Sequence, residues 1–116
     1  MQKILILVAM KTISCDDLIE KLRVDYTSFR LLNALEPSAA MTAQIPHSLN
    51  IIREEEILLL LNKDEEIIVY CTDHICNKSI VMYYQLEGLG YKNVFRYPGG
   101  IREWVSIGQE LEDISA

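Results

Sequence analysis

Short apolar runs alternate with stretches of helical period along this chain. The sharpest run is Ile67-Ile68-Val69-Tyr70, four β-favouring residues without a polar interruption. Such a run predicts a strand buried on both faces. Val94 to Tyr97 and Phe29 to Leu32 read as further strands, as does Ile4 to Met10, an apolar run of seven between Lys3 and Lys11. Between them lie helical patterns. Ser14 with Asp17 resembles a capping box with Asp in place of Glu, and Leu18 and Leu22 then share a face. Arg53 to Leu61 opens on acidic residues and carries Ile57, Leu58 and Leu61 on one stripe. Ser79 to Leu89 aligns Met82, Leu86 and Leu89, and Gly90 follows where a helix C-terminus favours glycine. Ile101 to Ile107 reads as a last short helix stopped by Gly108. Glu36-Pro37-Ser38 is a break, Ala39 to Ala43 a short helix, and Ile45-Pro46 and Pro98-Gly99-Gly100 are turns. Alternating strands and helices predict an α/β fold, a small, mostly parallel sheet with helices on both faces.

The chain has 116 residues, half of them apolar, which fits one domain over 1–116 with a proper core. No Pro/Gly/Ser-rich linker, repeat or low-complexity stretch marks a boundary. Eleven basic against 17 acidic residues leave a formal charge of −6. That balance disfavours nucleic acid and anionic membranes as partners. Ile4 to Met10 is too short to span a bilayer, and no small-residue cleavage site follows it. Three cysteines, Cys15, Cys71 and Cys76, do not make a disulfide scaffold and leave at least one thiol. A reducing cytoplasm suits them best. Cys71, His74 and Cys76 cluster without a second ligand pair, so no metal is expected.

Ligands of such sheets bind beyond the carboxyl ends of the strands. There this chain reads Cys71-Thr72-Asp73-His74-Ile75-Cys76-Asn77-Lys78, with a helix beginning near Asn77 to Ser79. Loop amides and a helix dipole favour thiolate over thiol, which makes Cys71 the candidate nucleophile. Thr72 to Lys78 are its expected anion pocket, with Lys78 adding a full positive charge. Asp73 would repel an anion and is expected to point to solvent. His74 is either a proton donor or anion ligand, or simply exposed. Cys76 is either a second thiol able to pair with Cys71 or a loop cysteine packed into the core. Cys15 and Tyr83, Tyr84 and Tyr91 read as packing, His47 as a turn residue, and Glu54-Glu55-Glu56 as a solvated helix face.

The strand Ile67 to Tyr70 with Cys71, the short loop and the helix resemble the rhodanese-like (sulfurtransferase) domain family. Leu86-Glu87-Gly88-Leu89-Gly90-Tyr91 is similar to the family's leucine–glycine–tyrosine stretch, and Gly99-Gly100 with Trp104 to its Gly-Gly-x-x-x-Trp signature. Gly108 to Glu112 is similar to its usual ending, so the likeness spans about residues 12–112. The pattern Cys71-x4-Cys76-x2-Ser79 looks like a longer-loop variant. The resemblance implies a cofactor-free sulfurtransferase or persulfide carrier. Its Cys71 thiolate would take the outer sulfur of a small sulfur-containing anion, such as thiosulfate, or of a persulfide. A thiol or protein acceptor would receive it, and the protein would act as a monomer or homodimer.

Two departures bear on turnover rather than on the fold. Where the family commonly carries an Asp-x-Arg pair, this chain has Asn33-Ala34-Leu35, and where it carries Gly-His-Ile-Pro-Gly, this chain has Ala43-Gln44-Ile45-Pro46-His47. They favour, as the alternative, a catalytically weak or inactive module that binds a partner protein. Phosphatase or arsenate-reductase chemistry ranks lower, because it needs a guanidinium clamp and no arginine lies between Cys71 and Arg96. A Cys71/Cys76 dithiol redox role ranks with it, since the pair lacks the usual Cys-x-x-Cys spacing.

Overall fold

In a computed structural model, residues 10–35, 43–51 and 53–113 are described. In chain order the elements are α1 (Cys15–Asp25), β1 (Arg30–Asn33), β2 (Ala43–Gln44), β3 (Ser48–Asn50), α2 (Glu54–Leu60), β4 (Ile67–Tyr70), α3 (Lys78–Gly88), β5 (Val94–Tyr97), α4 (Gly100–Ser106) and β6 (Glu112–Asp113). β3, β1, β4 and β5 form a four-stranded sheet in that order, parallel throughout. Lys11 to Ile13 run beside β5: the Ile13 N–H donates to the Arg96 carbonyl at 3.0 Å, and the Arg96 N–H to that of Lys11 at 2.9 Å. β2 and β6 pair as a small antiparallel ribbon.

β4 is central and wholly buried, as its uninterrupted run of β-branched and aromatic residues requires. Alternation along the strands divides the core in two. Leu31, Ile68, Tyr70 and Tyr97 pack with Leu18 of α1 and Trp104 of α4. Leu32, Ile67, Val69 and Val94 pack on the opposite face with Ile57 of α2 and Tyr83 and Leu86 of α3. The expected α/β architecture with helices on both faces is therefore present. Among the described residues no helix is long and apolar enough to cross a membrane.

Local signals behave as their chemistry dictates. Ser14 Oγ accepts from the Asp17 N–H at 3.1 Å, capping α1. Trp104 is buried, and its indole N–H donates to the Glu110 carbonyl at 3.0 Å. His47 sits in the turn after Pro46 at φ 71° and stacks on Tyr26. Several expectations need correction. The first strand lies one residue later than Phe29 to Leu32. Leu58 does not join Ile57 and Leu61 inside: Leu58, Leu59 and Leu60 are exposed, because the helix is short and only one side of it meets the sheet. Tyr83 and Tyr91 are buried, whereas Tyr84 is exposed on the far side of α3. Ala43 belongs to β2 rather than to a helix. Of the strand expected over Ile4 to Met10 only Met10 is described, and it lies outside any strand; the rest of it, the break at Glu36 to Ser38 and the remainder of the helix expected from Ala39 lie outside the described residues.

Candidate active site

Cys71 follows the last residue of β4 and is 1 % exposed. The loop it opens ends at Asn77, where α3 begins. The Cys71 and Cys76 sulfurs are joined as a disulfide with the Cα atoms 6.4 Å apart, so the four intervening residues curl back on the strand end. The Cys76 side chain thus turns to Cys71 rather than into the core.

Three supports hold the loop. Asp73 Oδ1 accepts from the Ile75 and Cys76 N–H groups, both at 3.1 Å, and Asp73 Oδ2 lies 3.4 Å from Arg102 Nε. Asp73 is thus a local brace and does not simply point to solvent, and two of the amides expected to face the sulfur are turned to its carboxylate. From α4, the Ile101 and Arg102 N–H groups donate to the carbonyls of Cys71 at 3.1 Å and Thr72 at 2.8 Å. Gly100 makes this approach possible. Its φ is +61°, and a Cβ there would lie 2.4 Å from the Cys71 carbonyl oxygen.

The third support is Arg96, on β5 and 7 % exposed. Its Nε donates to Ser79 Oγ at 2.8 Å, and its Nη2 reaches the carbonyls of His74 at 3.4 Å and Cys76 at 3.5 Å. Burial lowers its pKa. Its guanidinium is engaged by the loop backbone and Ser79. Sequence reasoning passed over Arg96, although alternation puts it on the same buried face as Val94, and an arginine there signals a buried charge with a task.

The other predicted site residues divide by position. Thr72, His74, Ile75, Asn77 and Lys78 are exposed, with Ile75 at 76 %. They form the outer surface of the loop, while Cys71, the Asp73 carboxylate and Cys76 lie beneath. Beside the loop is a cavity of about 700 Å³ whose walls include Asp73, His74, Tyr97, Arg102 and Cys15. Cys15 is 8 % exposed at the start of α1, and burial pushes its thiol pKa up, partly countered by the Tyr97 hydroxyl.

Where an acidic residue is expected of an Asp-x-Arg pair, Asn33 is fully buried and braced without charge. Its Oδ1 accepts from the Leu35 N–H at 2.8 Å, its Nδ2 donates to Gln44 Oε1 at 3.4 Å, and its carbonyl accepts from Asn50 Nδ2 at 3.0 Å. Neutral amides satisfy one another here, so no carboxylate has to be buried without its arginine. Among the described residues, no group of three or more His, Cys, Asp or Glu is placed to hold a metal ion.

The family profile described as Rhodanese-like domain matches residues 15–107. The chain belongs to the rhodanese-like domain family. Solved structures agree with the fold. The rhodanese-related protein from Thermoplasma volcanium is 26 % identical, with 88 % of this chain and 97 % of that one covered and a TM-score of 0.69. The BH2092 protein from Bacillus halodurans is 25 % identical over 90 % of this chain and 78 % of that one, with a TM-score of 0.76. The rhodanese-like domain of the Alr3790 protein from Anabaena sp., at 21 % identity, 92 % and 82 % coverage and a TM-score of 0.76, shares the fold. No curated protein matches the chain.

Proposed function

We propose that this rhodanese-like domain is a sulfurtransferase or persulfide carrier whose nucleophile is Cys71, working in a reducing, cytoplasmic setting. The observation that carries the reading is the position of Cys71. It directly follows the central strand of a chain in a family that includes sulfurtransferases, at the mouth of a loop braced by Arg96 and by the first amides of α4. Once the disulfide is reduced, the Cys71 thiolate attacks the outer sulfur of thiosulfate or a persulfide. The donor's sulfur–sulfur bond breaks, sulfite or a thiolate leaves, and a Cys71 persulfide remains. The neighbouring α3 N-terminus and the buried Arg96 guanidinium favour negative charge at this end of the sheet.

A second reading is a module that binds a partner protein and turns over slowly. The observation favouring it is the uncharged bracket around Asn33 where the family commonly carries a charged pair. The phosphatase or arsenate-reductase reading is weaker, because it needs a guanidinium free to clamp an oxyanion and Arg96 is engaged by the loop.

Intact-protein mass spectrometry tests the proposal. Reduced protein incubated with thiosulfate or a polysulfide is expected to take up sulfur, as a retained adduct or as released sulfide, and Cys71→Ser to do neither. Failure of the wild-type protein to react with either donor would leave the binding module as the better reading.

A further inference from the structure

The two loop cysteines are held as a pair by more than their own bond. The Cys76 N–H donates to the Asp73 carbonyl at 3.3 Å as well as to its carboxylate, and the Cys76 carbonyl faces Arg96 Nη2. Asp73 is tied in turn to Arg102. Cys76 is thus fixed through its backbone on both sides, with its sulfur against that of Cys71. Cys71, by contrast, is almost fully buried, and an external acceptor has to reach a sulfur under the loop.

We infer that Cys76 is the resolving thiol in this domain, and that it gives electrons to the sulfane sulfur and releases it as sulfide rather than taking up the sulfur itself. The inference rests on the Cys71 persulfide proposed above. Its steps balance as follows. The Cys71 thiolate and thiosulfate give the Cys71 persulfide anion and sulfite. The Cys76 thiol, deprotonated as it attacks, then bonds to the inner sulfur of that persulfide. The bond between the inner and outer sulfurs breaks, and the outer sulfur leaves with the proton as hydrosulfide. The product is the Cys71–Cys76 disulfide, the state in which the structure stands. An external dithiol reduces it back to two thiols and is itself oxidised to its disulfide. The net reaction converts thiosulfate and a dithiol into sulfite, sulfide and a disulfide.

Two physical arguments favour this route. Hydrosulfide is a more acidic leaving group than a cysteine thiolate, so displacement at the inner sulfur is the easier exchange. Attack within one short loop also carries the effective-molarity advantage of an intramolecular reaction, which no diffusing acceptor shares. The third thiol, Cys15, packs in the α1 and α4 cluster and takes no part.

The test is a single turnover. Fully reduced protein, freed of reductant, is mixed with thiosulfate in one arm and inorganic polysulfide in another. Sulfide is trapped as it forms, and intact and peptide masses are recorded. Wild-type protein is expected to release one sulfide per chain and to lose two hydrogens, with the disulfide mapping to Cys71 and Cys76. Reduction with dithiothreitol followed by desalting is expected to restore a second burst. Cys76→Ser and Cys76→Ala are expected to keep the added sulfur on Cys71, with the burst reduced at least about tenfold. Wild-type protein that retains its added sulfur and releases no sulfide would overturn the inference while leaving the Cys71 persulfide standing. Absence of both adduct and sulfide in all three proteins would overturn the persulfide reading too. Cys71→Ser supplies the blank for direct reaction of the donors.

Discussion

Cys15 and Cys71 are both buried, at 8 % and 1 % exposure, and the proposed function assigns them opposite chemistry. Cys15 opens α1 and packs with Leu18, Tyr97 and Trp104, where burial raises its pKa and keeps it a thiol. Cys71 follows β4, meets a second sulfur, and has a guanidinium and the start of a helix close to its loop. On the proposed function, burial alone does not distinguish an inert cysteine from a nucleophile. What distinguishes them is whether the backbone beyond the residue runs on as regular structure or turns into a loop that gathers donors and a partner thiol.

The largest expected effect separates the two residues directly. Cys71→Ser is expected to abolish reaction with sulfur donors, whereas Cys15→Ser should leave the rate within about twofold, read by single-turnover sulfide release. Gly100→Ala comes next. A methyl group facing the Cys71 carbonyl at 2.4 Å and the Thr72 carbonyl carbon at 2.7 Å meets backbone, which has little room to yield. We expect a loss of about 2–4 kcal/mol in denaturant unfolding, and slower sulfur uptake as the loop shifts.

Arg96→Met removes the charge beneath the loop and leaves Ser79 Oγ and two carbonyls to find other partners. About 1–3 kcal/mol of stability should go with it. Faster hydrogen exchange at the Ile75 and Cys76 amides is the signature that ties the loss to the loop rather than to the core. A smaller effect comes from pH. Burial holds Tyr70 protonated up to about 12, against 10.0 for an unperturbed phenol, while its hydroxyl accepts from the Ile45 N–H and meets Ser48 Oγ at 2.7 Å. Below pH 10 the stabilisation is fully present. Above it the unfolded chain ionises first, so stability falls by roughly 1.4 kcal/mol per pH unit until the folded phenol titrates as well. Alkaline urea titrations of wild type and Tyr70→Phe should differ in that slope between pH 10 and about 12.

The sequence displays the parts of this fold that rest on long, uniform patterns. The Ile67 to Tyr70 run is β4, the Met82, Leu86 and Leu89 stripe lies on the inner side of α3, and Gly99-Gly100 is the turn that lets α4 meet Cys71. The position of Cys71 was legible because it directly follows the strongest strand. β3 escaped notice because Ser48 to Asn50 is a short, half-buried edge with no apolar alternation to betray it. The two-residue strands β2 and β6 carry no pattern at all. Leu58 misled because hydrophobicity alone does not say which face of a four-leucine run meets the sheet. Asp73 and Arg96 act through the folded loop, where local amide geometry and a contact 20 residues away in sequence define their roles. Spacing allowed the Cys71–Cys76 bond but did not require it, since only the curl of the backbone brings the two Cα atoms to 6.4 Å.

The central claim is that one of three thiols is the sulfur-handling nucleophile, and peptide mapping tests it most directly. Reduced Cys76→Ser protein, loaded with thiosulfate or polysulfide and digested under acid conditions that hold the adduct in place, retains two candidate thiols. The account predicts the added sulfur on the peptide containing Cys71, with the Cys15 peptide unmodified. Sulfur on Cys15, or spread evenly between the two, would contradict it.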